Sequence, residues 1–254
     1  MADRGGAGGL PPPKRPLEGD RHGPGHLARG QRHAAPASVT RSLRPRLIVL
    51  AKAPVAGMAK TRLCPPCTPV QAAAVAEAAL ADTLAAAVGV AGVRPVLVLD
   101  GPRGPWLPAG IEVIPQQGGG LDERITAAFE DCGGPALLIG MDTPQVTPAL
   151  LRRCVDALMA PGIDAVLGPA LDGGWWAAGL RRPDRFAFLG VPMSTGQTCA
   201  LQRRRLAGLG LHVAELPALS DVDVWEDALS VSADAAGGRF AATVASVTGS
   251  WVAP

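Results

Sequence analysis

The segment Leu47-Ile-Val-Leu-Ala51, running straight into Lys52-Ala-Pro-Val-Ala-Gly57-Met-Ala-Lys60-Thr61-Arg62, decides how the chain is read. Five apolar residues, mostly branched, are too few for a helix and suit a strand buried on both faces. Thr68-Pro69 then opens residues 68–89, where Ala, Val and Leu recur at helical spacing. Threonine caps helices and proline is tolerated in the first turn, so a helix is predicted there. The alternation continues outward. Strands are predicted at Pro95–Asp100, Ile111–Pro115, Pro135–Gly140, Ala165–Leu167 and His212–Leu216. Helices are predicted over Leu121–Asp131, residues 147–159, Gln197–Gly208 and from Trp225 to about Ser232. Strands alternating with helices predict an α/β fold, a three-layer αβα sandwich around a mainly parallel sheet. Such sheets bind ligands beyond the carboxyl ends of their strands, so the residues just after each strand are the first to inspect.

The 254 residues accommodate one ordinary domain, and 48% hydrophobic against 18% charged residues supports a large core. Charge is unevenly spread. Residues 1–45 hold eight Lys/Arg against three Asp/Glu, more than the whole chain's net +2, so the remainder is mildly acidic. A basic stripe for nucleic acid is therefore not expected, and a site built from carboxylates around a cation is. Residues 1–45 are rich in Gly, Pro, Arg and His and are expected to be a disordered basic tail. The domain is expected over 46–236, with a loosely ordered tail over 237–254. The apolar stretch Ala72 to Val93 is interrupted by Glu77 and Asp82, so no membrane span is expected. Five cysteines, an odd number, fit free thiols in a reducing, cytoplasmic setting.

Four strand ends carry chemistry. In the first loop, Gly57 allows close backbone approach, and Lys52, Lys60 and Arg62 supply cations for phosphate oxygens. Two of the chain's three lysines lie here. A P-loop is excluded, because Pro54 and Ala59 stand where it needs glycine. In Gly140-Met-Asp142-Thr-Pro144, Asp142 is placed to ligate Mg²⁺, which takes one or two carboxylates plus substrate phosphates; capping of the next turn is the alternative. In Gly168-Pro-Ala-Leu-Asp172-Gly173-Gly174-Trp175-Trp176, a carboxylate, turn backbone and aromatic faces suit a hydroxylated substrate. The same string also suits a hairpin turn with two core tryptophans. In Leu219-Ser-Asp221-Val-Asp223, two carboxylates at i and i+2 point the same way in extended chain and are candidates to complete a metal shell. Solvated loop acids are the alternative. Cys64-Pro-Pro-Cys67 has no second pair for zinc, and His212, the one histidine outside the tail, sits in a strand pattern.

Taken in order, Lys60-Thr-Arg-Leu63, Leu121-Asp-Glu-Arg124, Gly140-Met-Asp142-Thr-Pro144, Gly168-Pro-Ala-Leu-Asp172-Gly-Gly174 and Asp221-Val-Asp223 resemble a bacterial family of GT-A-like transferases. The family is named for neighbouring radical-SAM/selenodomain genes. It is similar to the guanylyltransferases of molybdenum cofactor and deazaflavin (2-phospholactate) biosynthesis and to GT-A glycosyltransferases. The resemblance spans about residues 46–232. It implies the nucleotide-diphospho-sugar transferase (GT-A) fold, phosphates at the first loop, a metal at Asp142 with Asp223 as second ligand, and acceptor or sugar near Asp172. The chain departs from the family's pattern at Ala56, Met58, Trp175-Trp176, Met193 and Gly140.

The expected function is an Mg²⁺- (or Mn²⁺-) dependent transferase using a nucleotide or nucleotide-sugar donor and a small-molecule acceptor. Lys60 and Asp172 carry catalysis, and Asp172, Gly173, Gly174 and Trp175 contact substrate. Glycosyl transfer is the first expectation. Nucleotidyl transfer with release of pyrophosphate, and a binding module without chemistry, are the alternatives.

Overall fold

The computed structural model describes residues 44–252, so the expectation for the N-terminal tail lies, apart from Arg44 and Pro45, outside the described residues. Seven strands form one sheet: β1 (Arg46–Lys52), β2 (Arg94–Asp100), β3 (Glu112–Pro115), β4 (Ala136–Gly140), β5 (Ala165–Pro169), β6 (Trp175–Leu180) and β7 (Val213–Glu215). The helices are α1 (Pro69–Val88), α2 (Leu121–Cys132), α3 (Pro148–Met159), α4 (Thr198–Gly208), α5 (Trp225–Asp234) and α6 (Arg239–Val252).

The strand order is β3-β2-β1-β4-β6-β5-β7. Neighbours run parallel except at β6, which is antiparallel to both β4 and β5. The period-two alternation of each strand divides two cores. Leu47, Val49, Leu97, Leu137 and Ile139 face α1 and α3, while Ile48, Val96, Val98 and Leu138 face α2 and α4. From β1 the chain moves outward to β2 and β3, then returns to β4 on the other side of β1. The carboxyl ends of β1 and β4 therefore flank the point where the winding reverses, which opens a crevice.

The cap expected at Thr68 is present. Gln71 N donates to Thr68 Oγ1 at 3.2 Å, Thr68 N donates to Gln71 Oε1 at 2.9 Å, and Pro69 fills the first helical position. By length and composition alone α1 could cross a membrane, but 67% of its apolar window is buried inside the protein. One face meets the sheet. The other face, with Ala72, Val75 and Ala79, meets α5 and α6.

That contact corrects the expectation for residues 237–254. Residues 239–252 form α6, which buries Phe240, Val244 and Val247 on α1, with Trp251 against Trp225 at a ring separation of 4.8 Å. Asp82 of α1 accepts a hydrogen bond from Phe240 N at 2.9 Å and so satisfies one of the free amides at the start of α6. A helix as apolar as α1 needs cover on both sides, and the C-terminal segment supplies it. β6 was also absent from the expected strands. The Ala-Ala-Gly in its middle has little β propensity, yet it is a central strand buried on both faces. Small residues are required there: a Cβ on Gly179 would stand 2.7 Å from Val166 Cγ2.

Candidate active site

The first loop leaves β1 with Ala53 N bonded to Asp100 O at 2.7 Å, which ties its root to the end of β2. Buried Ala59 and Leu63 pin the far side, Leu63 ending a single 3₁₀ turn at Thr61–Leu63. Between these anchors Lys60 adopts φ +50°, a left-handed conformation that few non-glycine residues hold. The turn directs Lys60 inward, where its side chain is 11% exposed, and Arg62 outward, at 67%.

Loop 219–223, after β7, brings in two carboxylates. Leu219 pairs with the β5–β6 hairpin, its N donating to Pro169 O at 3.1 Å and its O accepting from Leu171 N at 3.1 Å. Val222 N donates to Asp142 O at 2.9 Å, and Gln145 Nε2 donates to Ser220 O at 2.5 Å. Asp227 then accepts from Asp223 N and Val224 N and caps α5. These bonds hold segment 219–224 between the end of β4 and the hairpin tip.

The outcome is one cavity of about 560 Å³ at the carboxyl edge of the sheet. Lys52, Lys60, Arg62, Asp142, Asp172, Gly174, Trp175 and Asp223 all line it, joined by Asp221 and Arg124. Gly57 and Gly173 do not. Gly57 is exposed with φ +77° and open space around it, so turn conformation rather than ligand approach accounts for that glycine. Gly173, at φ +91°, lies where a Cβ would fall 2.1 Å from Gly196 O; it is needed for packing against loop 192–197. Asp172 belongs both to a turn, where it accepts from Gly174 N at 2.7 Å, and to the cavity wall.

The charges are paired in a way the sequence did not disclose. Lys60 Nζ stands 2.5 Å from Asp142 Oδ1 and donates a hydrogen bond to Val222 O. Asp142 Oδ1 is buried and receives no aligned hydrogen bond, so Lys60 meets it as a bare charge contact. Arg62 Nη1 is 2.5 Å from Asp223 Oδ2. Each carboxylate expected to hold a metal is thus held by a cation of the first loop. Among the described residues Asp221 has no such partner. Burial pushes its carboxyl up to about 6, helped by the negative charges of Asp172, Asp223 and Asp142.

Among the described residues no three Asp, Glu, His or Cys side chains form a ready metal cage. The donor chemistry nevertheless fits a hard cation. All four cavity acids are carboxylates, one has an orphaned buried oxygen, and Mg²⁺ needs only one or two of them when phosphates supply the rest.

Trp175 is half-buried, lines the cavity and tilts against Phe188 at 6.0 Å. Trp176 is 3% exposed and its Nε1 donates to Pro217 O at 2.9 Å, so it is chiefly a core residue. From the sequence Arg124 stands out only within the stretch Leu121–Arg124, and the far wall has no assigned role. There Arg124 Nη1 reaches Asp100 Oδ2 at 3.1 Å and Gln116 Oε1 at 3.3 Å, while Gln116 Nε2 donates to Ala51 O at 2.8 Å. Asp100 ends β2 and Gln116 follows β3, so the strand-end rule applied evenly would have found both. Cys67, beyond the loop, has its thiol raised to about 11, first by burial and then by Cys64, which favours the protonated form.

Comparison with known proteins agrees with this architecture. Residues 72–195 match the family model described as "Uncharacterized protein conserved in bacteria (DUF2064)". That stretch contains Arg124, Asp142, Asp172 and Trp175, and leaves the first loop and loop 219–223 outside. No curated protein matches the chain. Among solved structures, the chain is similar to a "putative nucleotide-diphospho-sugar transferase" of Desulfovibrio desulfuricans G20. The identity is 24%, with 80% of this chain and 93% of the other covered, at a TM-score of 0.70. It is also similar to CMP:2-keto-3-deoxy-manno-octonic acid synthetase complexed with CTP, at 14% identity and TM-score 0.51, covering 74% of this chain and 96% of that one. Likeness at these identities establishes the fold, an α/β sandwich of nucleotide-diphospho-sugar transferase type.

Proposed function

We propose that the chain is a transferase that takes a nucleotide-activated donor with Mg²⁺ or Mn²⁺, acting first as a glycosyltransferase on a nucleotide-sugar. One observation carries this reading: Lys52, Lys60, Arg62, Asp142, Asp172, Asp221 and Asp223, drawn from four separate segments, converge on a single cavity at the reversal of the strand order. Its volume of about 560 Å³ is in the range that small-molecule sites occupy.

The roles follow from position. Lys60 and Arg62 neutralise phosphate oxygens of the donor and the charge that builds on the leaving nucleoside diphosphate. Asp142 and Asp223 are the candidate metal ligands; a divalent cation, when bound, supplies Lewis-acid charge to the same phosphates. Asp172 has one oxygen engaged by Gly174 N, leaving the other for sugar or acceptor hydroxyls. Trp175 offers part of its ring as a wall for the sugar. Nucleotidyl transfer is the second reading. It is favoured by the three cations of the first loop, whose charge suits a triphosphate better than a diphosphate.

Incubation with each of the four nucleoside triphosphates, and with a panel of nucleotide-sugars, in Mn²⁺ and in the presence of a broad panel of small-molecule acceptors, separates the readings. Pyrophosphate release selects nucleotidyl transfer, and nucleoside diphosphate release selects glycosyl transfer. Asp142→Ala and Lys60→Ala should each lower turnover by about 10²–10³. Full turnover in both would remove these residues from the mechanism. Binding with no product from any donor over the whole acceptor panel would leave a nucleotide-binding module.

A further inference from the structure

We infer that Lys60 and Arg62 are internal counter-ions that keep the carboxylate site closed to free divalent metal, so that the cation enters only together with a polyphosphate that draws both side chains away. This rests on the nucleotide reading above and assigns it an order of binding.

Two cations of one loop, either side of Thr61, each sit on a carboxylate from a different element, Lys60 on Asp142 after β4 and Arg62 on Asp223 after β7. The Lys60 ammonium also binds Val222 O, the carbonyl between Asp221 and Asp223, so it lies within the acidic cluster and not at its margin. A free divalent ion approaching Asp142 meets a fixed positive charge already in contact with the oxygen it requires. In a part-buried setting that repulsion is weakly screened.

The closed arrangement is also made to open. Lys60 holds Asp142 by charge alone, without an aligned hydrogen bond, and its backbone is in a left-handed conformation that the surroundings must maintain. Ala59 and Leu63 are buried on either side, so the exchange needs rotation of two long side chains and no displacement of the loop. A metal–polyphosphate complex lets all partners change at once. Ammonium and guanidinium would pass to phosphate oxygens, Asp142 and Asp223 would be freed to hold the cation, and no charge would be left unpaired. Neither metal alone nor phosphate alone does this. Metal alone strands Lys60 beside a dication, and phosphate alone strands Asp142 and Asp223 beside further negative charge.

The test is titration with Mn²⁺, free ion followed by electron paramagnetic resonance, with and without inorganic tripolyphosphate. The wild type should bind Mn²⁺ alone weakly and bind it far more tightly with tripolyphosphate. Lys60→Met should bind Mn²⁺ alone about tenfold or more tighter than wild type while losing most of the gain from tripolyphosphate. Adding Asp142→Asn to that variant should abolish the improvement. Arg62→Ala, at a position too exposed to threaten folding, should shift Mn²⁺ affinity the same way by less, and it decides the matter if Lys60→Met does not fold. Unchanged or weaker Mn²⁺ binding in the foldable variants overturns the closed-site inference. A parallel titration of the wild type with nucleoside triphosphates and nucleotide-sugars separates the two levels. If they bind, only the order of binding fails; if none binds with Mn²⁺, the nucleotide reading fails and the inference with it.

Discussion

Replacing Asp221 by asparagine should make the metal-free protein more stable at alkaline pH and almost indifferent at acid pH. Burial and the carboxylates of Asp172, Asp223 and Asp142 raise the Asp221 pKa from an ordinary 3.8 to about 6. The folded state therefore binds this proton more tightly than the unfolded chain. The stability that this binding contributes is complete below pH 3.8 and is lost as pH rises through 6; above that, ionised Asp221 opposes folding. A displacement of about two pH units corresponds to about 3 kcal/mol at most. The side chain is only about half buried, and solvent screening reduces the figure to about 1–2 kcal/mol. Asparagine keeps the shape and removes the charge. Urea unfolding at pH 8 should show Asp221→Asn ahead of wild type by that amount, and at pH 4.5 the gap should fall to less than half of it. A gap of equal size at both values, or a variant less stable at pH 8, would refute the electrostatic account of this loop.

Two further outcomes follow from packing. Phe240→Ala should cost about 3–5 kcal/mol in urea unfolding, because Phe240 is fully buried where α6 meets α1; a loss below about 1 kcal/mol would mean that α6 does not belong to the core. Gly173→Ala should cost about 2 kcal/mol or more by thermal melting, since the new Cβ meets Gly196 O and the backbone stays at φ +91°. An unchanged melting temperature would contradict the placement of loop 192–197 against the hairpin.

The parts of the fold that could be read from sequence are those where local chemistry and tertiary role coincide. Thr68, Pro69 and Gln71 announce a helix start, and the branched runs of β1, β2 and β4 announce buried strands, because a buried parallel strand needs that composition. β6 and α6 were missed where tertiary packing overrides propensity. In the Ala-Ala-Gly of β6, Ala177 and Ala178 are buried in the two separate cores, and a Cβ on Gly179 would strike Val166. In α6, Thr243, Val244, Val247 and Gly249 are weak helix formers that mask an apolar spacing of 240, 244, 247 and 251. The site divides similarly. The strand-end rule located Lys60, Asp142, Asp172 and Asp223 on one cavity, because the rule is topological. The pairing of Lys60 with Asp142 and of Arg62 with Asp223 joins residues 82 and 161 positions apart, and local pattern carries no information at that range.

The central claim is that these distant acids and cations grip a metal-bound polyphosphate between them. A crystal grown with Mn²⁺ and the nucleotide that binds best, measured at the manganese anomalous edge, tests it most directly. The expected result is one strong peak in contact with Asp142, with Asp223 beside it, and with Lys60 and Arg62 turned onto the phosphates. Nucleotide bound elsewhere on the sheet, or in the cavity with Lys60 still on Asp142 and Arg62 still on Asp223, would contradict it.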